Sequence, residues 1–304
     1  MLSIVIPTFN EEDFLPRLLA SIERQDFTDR EVIVADSRSR DRTRAIARDH
    51  GARIVAGGTP SVGRNRGAAA ARGDYLLFLD ADVVLPEGFL SRIVHRFDEE
   101  FVDICIPWIR PIDGTKAIYR TIYQFSNTFY KLMEVLQPQG LGVCILVTRR
   151  LHERIGGFLE SKRVSEDYDY ISRAAKVGRF RVFPSVHVYH SVRRYVAEGV
   201  GPLVQKQFAS GMLYLLTGKA AEVPEYEFGT FSHKLLEERS GLRPGRGQRE
   251  VTRLLSTFSE QGRRLQSQME HLEAEAKPAA RKPPARKPPA RRRKRRRTPR
   301  SDGR

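Results

Sequence analysis

Four times in the first hundred residues, a short apolar run hands over to a stretch whose apolar residues return every three or four positions. Residues 2–6 form such a run, closed by Pro7, and Phe14, Leu15, Leu18, Leu19 and Ile22 then follow at helical spacing across 11–24. Residues 32–35 precede a helical stretch at 41–50 ended by Gly51, residues 53–55 precede one at 61–72 ended by Gly73, and residues 75–79 precede one at 86–97. Runs this short suit buried strands, and the longer period suits helices with one face on a core. Their alternation predicts an α/β fold with a mostly parallel sheet and helices on both faces. Ligands of such sheets bind at the carboxyl ends of the strands. Asp36, Asp80 and Asp82 all stand at predicted strand ends.

Asp80 and Asp82 carry the most chemistry. They flank Ala81 directly after the run 75–79. Residues two apart in extended chain point to the same side, so both carboxylates can face one ligand, and hard oxygen donors of this kind suit Mg²⁺ or Mn²⁺ carrying a phosphate.

The net charge of +16 suggests nucleic acid until it is located. Residues 277–304 hold fourteen Lys and Arg against the single acid Asp302, a net +13, which leaves only +3 for residues 1–276. The folded part is therefore close to neutral, and charge does not define what its active face binds. The tail repeats Ala-Arg-Lys-Pro-Pro at 280–284 and 285–289 before an arginine run. With so few apolar residues it cannot form a core, and disorder is expected over 277–304.

Cys105 and Cys144 both sit in apolar runs. Buried structural thiols and a reducing compartment are expected. No leader is visible ahead of the first strand, and no window reaches the roughly 18 apolar residues of a membrane span. A cytoplasmic protein is expected, with the tail able to hold it at the cytoplasmic face of the membrane.

Beyond residue 101 the alternation breaks. Ile118, Ile122, Phe125, Phe129, Leu132 and Leu136 recur in steps of three and four over 116–137, a helix expected to pack this stripe on the core. Ser165 precedes Glu166 and Asp167 as the cap of a helix running to Gly178, and short β runs are expected at 180–183 and 186–189. Val251, Leu255, Phe258, Leu265, Met269 and Leu272 predict a long amphipathic helix within 250–276, suited either to docking on its own domain or to a homodimer.

Five elements occur in a defined order: residues 3–12 (Ser-Ile-Val-Ile-Pro-Thr-Phe-Asn-Glu-Glu), 32–37 (Val-Ile-Val-Ala-Asp-Ser), 63–67 (Gly-Arg-Asn-Arg-Gly), 80–82 (Asp-Ala-Asp) and 165–167 (Ser-Glu-Asp). In order and spacing they resemble the family-2 glycosyltransferases over roughly residues 2–195. The resemblance implies a GT-A fold over 1–220, with a nucleotide-sugar-binding half at 1–110 and an acceptor half at 111–220. A C-terminal extension over 221–276 and the basic tail follow.

The resemblance also implies roles. Pro7, Thr8 and Glu12 fall where the family holds the nucleoside, and Asp36 where it binds the base. Arg64 would pair with the diphosphate. Asp82 would hold the divalent metal, with Asp80 on the ribose or the metal's water shell. His190 is a candidate third ligand, and Arg193 and Arg194 candidate diphosphate partners. Asp167 matches the general base, with Glu166 orienting it or the acceptor, and an inverting displacement follows. The donor would be a UDP- or GDP-sugar, and the acceptor a hydroxyl of a glycan, lipid or polyprenyl phosphate. Ser37 stands where the family often has a second acid. A nucleotidyltransferase would need a glycine-rich loop after the first strand, and residues 7–12 contain no glycine. The competing class is an inactive glycosyltransferase-like protein acting through its tail on nucleic acid or an anionic membrane.

Overall fold

The computed structural model describes residues 1–112, 116–162, 165–201 and 203–204. All lie in the first of two compact units, Met1–Gln266, the second being Ser267–Arg304. The extension at 221–276, its amphipathic segment and the tail at 277–304 lie outside the described residues.

The chain runs β1 (Leu2–Thr8), α1 (Leu15–Glu23), β2 (Arg30–Asp36), α2 (Thr43–Asp49), β3 (Arg53–Ala56), α3 (Pro60–Ala70), β4 (Tyr75–Leu79), β5 (Val83–Val84) and α4 (Phe89–Glu99). It continues with β6 (Ile104–Pro111), α5 (Ala117–Leu136), β7 (Cys144–Thr148), α6 (Arg149–Arg154), α7 (Glu166–Ala175), β8 (Phe180–His190) and α8 (Arg193–Glu198). The eight strands form one sheet in the order β3-β2-β1-β4-β7-β6-β8-β5. The first four are parallel, as their alternation with helices requires, and β6 runs parallel to β8. β7 is antiparallel to both its neighbours, and β5 is antiparallel to β8. The fold is thus mixed α/β with a central, mostly parallel sheet.

Alternate residues of each central strand feed two cores. Leu2, Ile4, Ile6, Leu77 and Leu79 pack on one face with Leu15, Leu18 and Phe89 of α1 and α4, while Val5, Leu76 and Phe78 pack on the other with Ala68, Leu151 and Tyr170 of α3, α6 and α7. Burial of both faces explains why these strands read as unbroken apolar runs. Cys105 and Cys144 are buried free thiols, as expected.

α3 lies unusually close to β1. A Cβ on Gly67 would stand 2.2 Å from Val5 Cγ1, and one on Gly63 3.1 Å from Pro7 Cβ. The two glycines therefore let the helix approach, and Arg64 between them is carried under the sheet's carboxyl edge.

Three expectations need correction. The helix at α5 forms, yet its buried face is Tyr119, Ile122, Tyr123, Asn127, Tyr130 and Glu134, while Phe125, Phe129 and Leu132 are only partly buried and Leu136 is 79% exposed. The reason is backbone pairing. β6 shifts register between Pro107 and Trp108, and Asn127 then takes both the N–H (2.9 Å) and the carbonyl (2.8 Å) of Ile109, while Glu134 accepts from the N–H of Val182 at 2.8 Å. Buried polar groups need such partners, and apolar periodicity does not register them. Second, the two β runs at 180–183 and 186–189 are one strand, β8. Third, Ser165 precedes α7 in the left-handed region (φ 57°) and makes no side-chain cap. Among the described residues, no helix is long and apolar enough to cross a membrane.

Candidate active site

β1 and β2 end in register, Thr8 opposite Asp36. Asp36 is buried and accepts from Thr8 Oγ1 (3.3 Å), Ser39 N (3.1 Å) and Ser39 Oγ (2.5 Å), with Arg44 Nε at 3.7 Å. The loops after the two strands are laced together. Asn10 N donates to Ser39 Oγ, Glu11 N to Thr43 Oγ1 and Arg40 N to Asn10 Oδ1. The two adjacent acids of the first loop then part. Glu12 is exposed and its carboxylate accepts from Arg42 N at 3.0 Å, whereas Glu11 is buried and faces the sheet's edge.

At the end of β4, Asp80 N donates to Val143 O, and the chain turns through Asp82 into β5. The antiparallel pairing of β5 with β8 sets Val83 opposite His190, and Ser191 N donates to Asp82 O. One ligand atom from each of Asp80, Asp82 and His190 then lies within 4.8 Å of the others. His190 Nε2 is 3.4 Å from Asp82 Oδ1. Two carboxylate oxygens and one imidazole nitrogen are a donor set that fits Mn²⁺ well and Mg²⁺ acceptably.

Arg193, at the start of α8, places Nε 2.7 Å from Asp82 Oδ2 and forks onto Glu11 at 2.7 and 3.0 Å. Burial would raise the Asp82 carboxyl, but the Arg193 guanidinium beside it outweighs this and holds that group well below the usual carboxylate range. Burial pushes Glu11 up to about 7 against the pull of Arg193. Asp80 is also raised, by burial, despite Arg64.

Arg64 is not a solvated helix charge. It is buried and donates through Nη2 to Asp80 (2.8 Å) and through Nη1 to Glu166 (2.9 Å). Its neighbour in this network is Asp167, whose Oδ2 accepts from Gly142 N at 2.8 Å and whose Oδ1 accepts from Tyr168 N at 2.8 Å. Burial, reinforced by Glu166, pushes the Asp167 carboxyl up to about 7 against these donors and Arg64. The site thus has two carboxylate groups joined by one guanidinium.

The residues named from sequence are placed as follows. Asp80, Asp82 and His190 come together, as do Arg64, Glu166 and Asp167, and Thr8 meets Asp36. Pro7 lies against α3 at Gly63. Arg194 turns to Glu198 at 3.2 Å within α8, and Glu12 stays at the surface. Two residues were not singled out. Glu11 could have been found as the other half of an acid pair, and Gly142 had no sequence signal beyond its place before β7.

The family model described as Glycosyl transferase family 2 matches residues 3–155. The chain belongs to that family. It is 31% identical over 112 residues to a GalNAc(5)-diNAcBac-PP-undecaprenol beta-1,3-glucosyltransferase of Campylobacter jejuni, covering 34% of this chain and 36% of that one. It is 40% identical over 145 residues to a 4,4'-diaponeurosporenoate glycosyltransferase of Staphylococcus haemolyticus, covering 44% and 37%. The chain thus spans about a third of the length of these relatives. Among solved structures, a mannosyltransferase from Pyrobaculum calidifontis in complex with GDP-Man and Mn²⁺ superposes with a TM-score of 0.55 at 18% identity, covering 91% of this chain and 76% of that one. At that identity the likeness concerns the fold.

Proposed function

We propose that the protein is a divalent-metal-dependent, inverting glycosyltransferase that moves a sugar from a UDP- or GDP-sugar to a hydroxyl acceptor. One observation carries this reading: Asp167, half-buried and with its carboxyl pushed up to about 7, sits one guanidinium away from a three-residue cluster suited to a divalent cation.

Asp82, Asp80 and His190 would hold the cation, whose chemistry is to stabilise the negative charge left on a departing nucleoside diphosphate. The protein's own groups supply the rest. Thr8 and Asp36 form the floor for the nucleoside, Asp36 being acceptor-only and so able to take a ring N–H of uracil or guanine. Arg193, already on the metal side at Asp82, is placed to share the diphosphate's charge. Asp167 takes the acceptor hydroxyl's proton onto a carboxylate oxygen as that hydroxyl attacks the anomeric carbon. A base with a pKa near the working pH combines the right ionisation with useful proton affinity. Glu166 bonds Arg64 rather than Asp167, so its part is to hold that guanidinium between the two groups. Relatives named for a PP-undecaprenol-linked and a 4,4'-diaponeurosporenoate substrate make a lipid-borne hydroxyl the acceptor class of first choice. The basic segment 277–304 would hold the enzyme at an anionic surface, each Lys or Arg adding about 1 kcal/mol.

The test is thermal stabilisation by UDP, GDP and other nucleoside diphosphates, with and without Mn²⁺, on wild type and Asp82→Asn. Metal-dependent stabilisation by one nucleotide, lost in the variant, supports the reading and names the donor class. If no nucleotide stabilises the protein in a metal-dependent way, the reading is wrong.

A further inference from the structure

The strand end that carries His190 is clamped on all sides of its backbone. His190 pairs with Val83 of β5 and with Pro111 of β6, its carbonyl accepts from Ile112 N at 2.9 Å, and the next residue, Ser191, donates to Asp82 O. What remains free is the imidazole ring, and Tyr123 of α5 meets it. Tyr123 Oη lies 2.7 Å from His190 Nδ1 and 3.2 Å from Ser191 O, and the two rings stand edge to face at 80°. Tyr123 is itself buried, packed edge-on against Tyr195 with ring centroids 5.9 Å apart.

The hydrogen bonds bear on more than the ring's direction. A phenol has one proton to donate, and a carbonyl can only accept. With the Tyr123 proton on Ser191 O, Tyr123 Oη accepts from Nδ1, and a neutral His190 carries its hydrogen there. Nε2 then bears a lone pair and faces Asp82 Oδ1 at 3.4 Å, two acceptors turned toward each other. That arrangement is stable with a cation against both, and metal-bound histidines commonly have their other ring nitrogen held in this way. The opposite tautomer would point a hydrogen into the cation's place.

We propose that Tyr123 is a positioning residue for the cation site: by accepting the Nδ1 hydrogen of His190 it holds the Nε2 lone pair on the side of Asp80 and Asp82. The proposal rests on the metal-dependent reading above and deepens it. It also gives α5 a part in the site, through a residue of its buried face and not of its apolar stripe.

The test uses the full chain and needs no substrate. Mn²⁺ affinity is measured by electron paramagnetic resonance on wild type, Tyr123→Phe, His190→Ala and the double variant. The His190 tautomer is read from long-range ¹H–¹⁵N correlation of protein saturated with Mg²⁺, which is diamagnetic, its signals assigned by their loss in His190→Ala. The expected result is an Nδ1–H ring in wild type and Mn²⁺ binding about 10–100-fold weaker in Tyr123→Phe. The double variant should bind no more weakly than His190→Ala alone. An Nε2–H ring in wild type would overturn the proposal, as would Tyr123→Phe binding Mn²⁺ like wild type while His190→Ala does not. A wild type that takes up no Mn²⁺ would instead overturn the metal-dependent reading, and this proposal with it.

Discussion

Replacing Arg64 with Met tests the organisation of the site without any knowledge of donor or acceptor. Met fills much of the arginine stem's volume beside Phe158, over whose ring the guanidinium carbon stands at 5.2 Å. What is lost is the charge and its bonds to Asp80 and Glu166. Removing one partner of a buried ion pair costs about 3–5 kcal/mol, because the other partner is left uncompensated. The Asp80 side chain is 31% exposed and Glu166 is 15% exposed, so part of their charge can be resolvated. That places the expected loss near the lower end, about 3 kcal/mol, or roughly 6–12 °C in melting temperature for a domain of this size. The loss should also depend on pH. Without the guanidinium, Asp80 and Asp167, already raised, rise further. The native state then binds more protons than the unfolded chain between the unfolded value near 4 and the raised native values. Stability accordingly falls as pH rises through that window, by up to about 1.4 kcal/mol per unit for each extra proton. Urea unfolding of wild type and Arg64→Met at pH 5, 6.5 and 8 reads this directly. The deficit should be small at pH 5 and full at pH 8. A deficit below about 1 kcal/mol at pH 8, or one larger at pH 5, would show that Arg64 does not hold these carboxylates together.

Asp167→Asn should lower kcat by about 100- to 10,000-fold with little change in donor KM. In wild type, kcat/KM should climb with pH as the Asp167 proton near 7 is lost, since only the carboxylate can accept; pH–rate profiles of both proteins decide, and an unchanged rising limb in the variant would assign it elsewhere. Gly67→Ala puts a methyl group 2.2 Å from Val5 Cγ1 and should cost about 1–3 kcal/mol through overpacking. Adding Val5→Ala should recover part of that loss, and strict additivity of the two in urea unfolding would mean that α3 and β1 do not meet there. Asn127→Leu strands the N–H and carbonyl of Ile109 and should cost about 2–4 kcal/mol. Slowed hydrogen exchange at Ile109 in that variant would contradict the clamp.

The β1–β4 half was legible because each of its strands is buried on both faces and each connecting helix on one, so hydrophobic period alone separates them. The carboxylates at the strand ends were legible for the same reason. Arg64 was named only through the family resemblance, since by pattern a charged residue in a helix reads as solvated until Gly63 and Gly67 are seen to draw that helix onto β1. Glu11 and Glu12 could not be told apart by pattern. Which one faces inward is set by the turn at Asn10, whose φ is 54°, and by loop bonds between residues about thirty apart. The pairing of β5 with β8 joins segments more than a hundred residues apart, and only that pairing puts His190 beside Asp82. For α5 the existence and extent of the helix were readable, but its orientation was not, because it is fixed by Asn127 and Glu134 bonding to strand backbone.

The charge inventory of the site bears on what it can bind. The carboxyl groups of Glu11, Asp80, Asp82, Glu166 and Asp167 meet the guanidinium groups of Arg64 and Arg193. Both arginines are held even more firmly protonated than usual, because neighbouring acids outweigh their burial. Burial pushes Glu11 and Asp167 each up to about 7 and raises Asp80 as well. Five carboxyl groups face two guanidinium groups, so the ionised site carries uncompensated negative charge. A nucleoside diphosphate adds further negative charge, so the bare site should repel it, whereas a divalent cation offsets the excess. The arginines cannot do this alone, being committed to the acids they bridge. Nucleotide binding by this arrangement of residues is therefore expected to require the cation, with Arg193 able to turn from Asp82 toward the diphosphate only once another positive charge has taken its place.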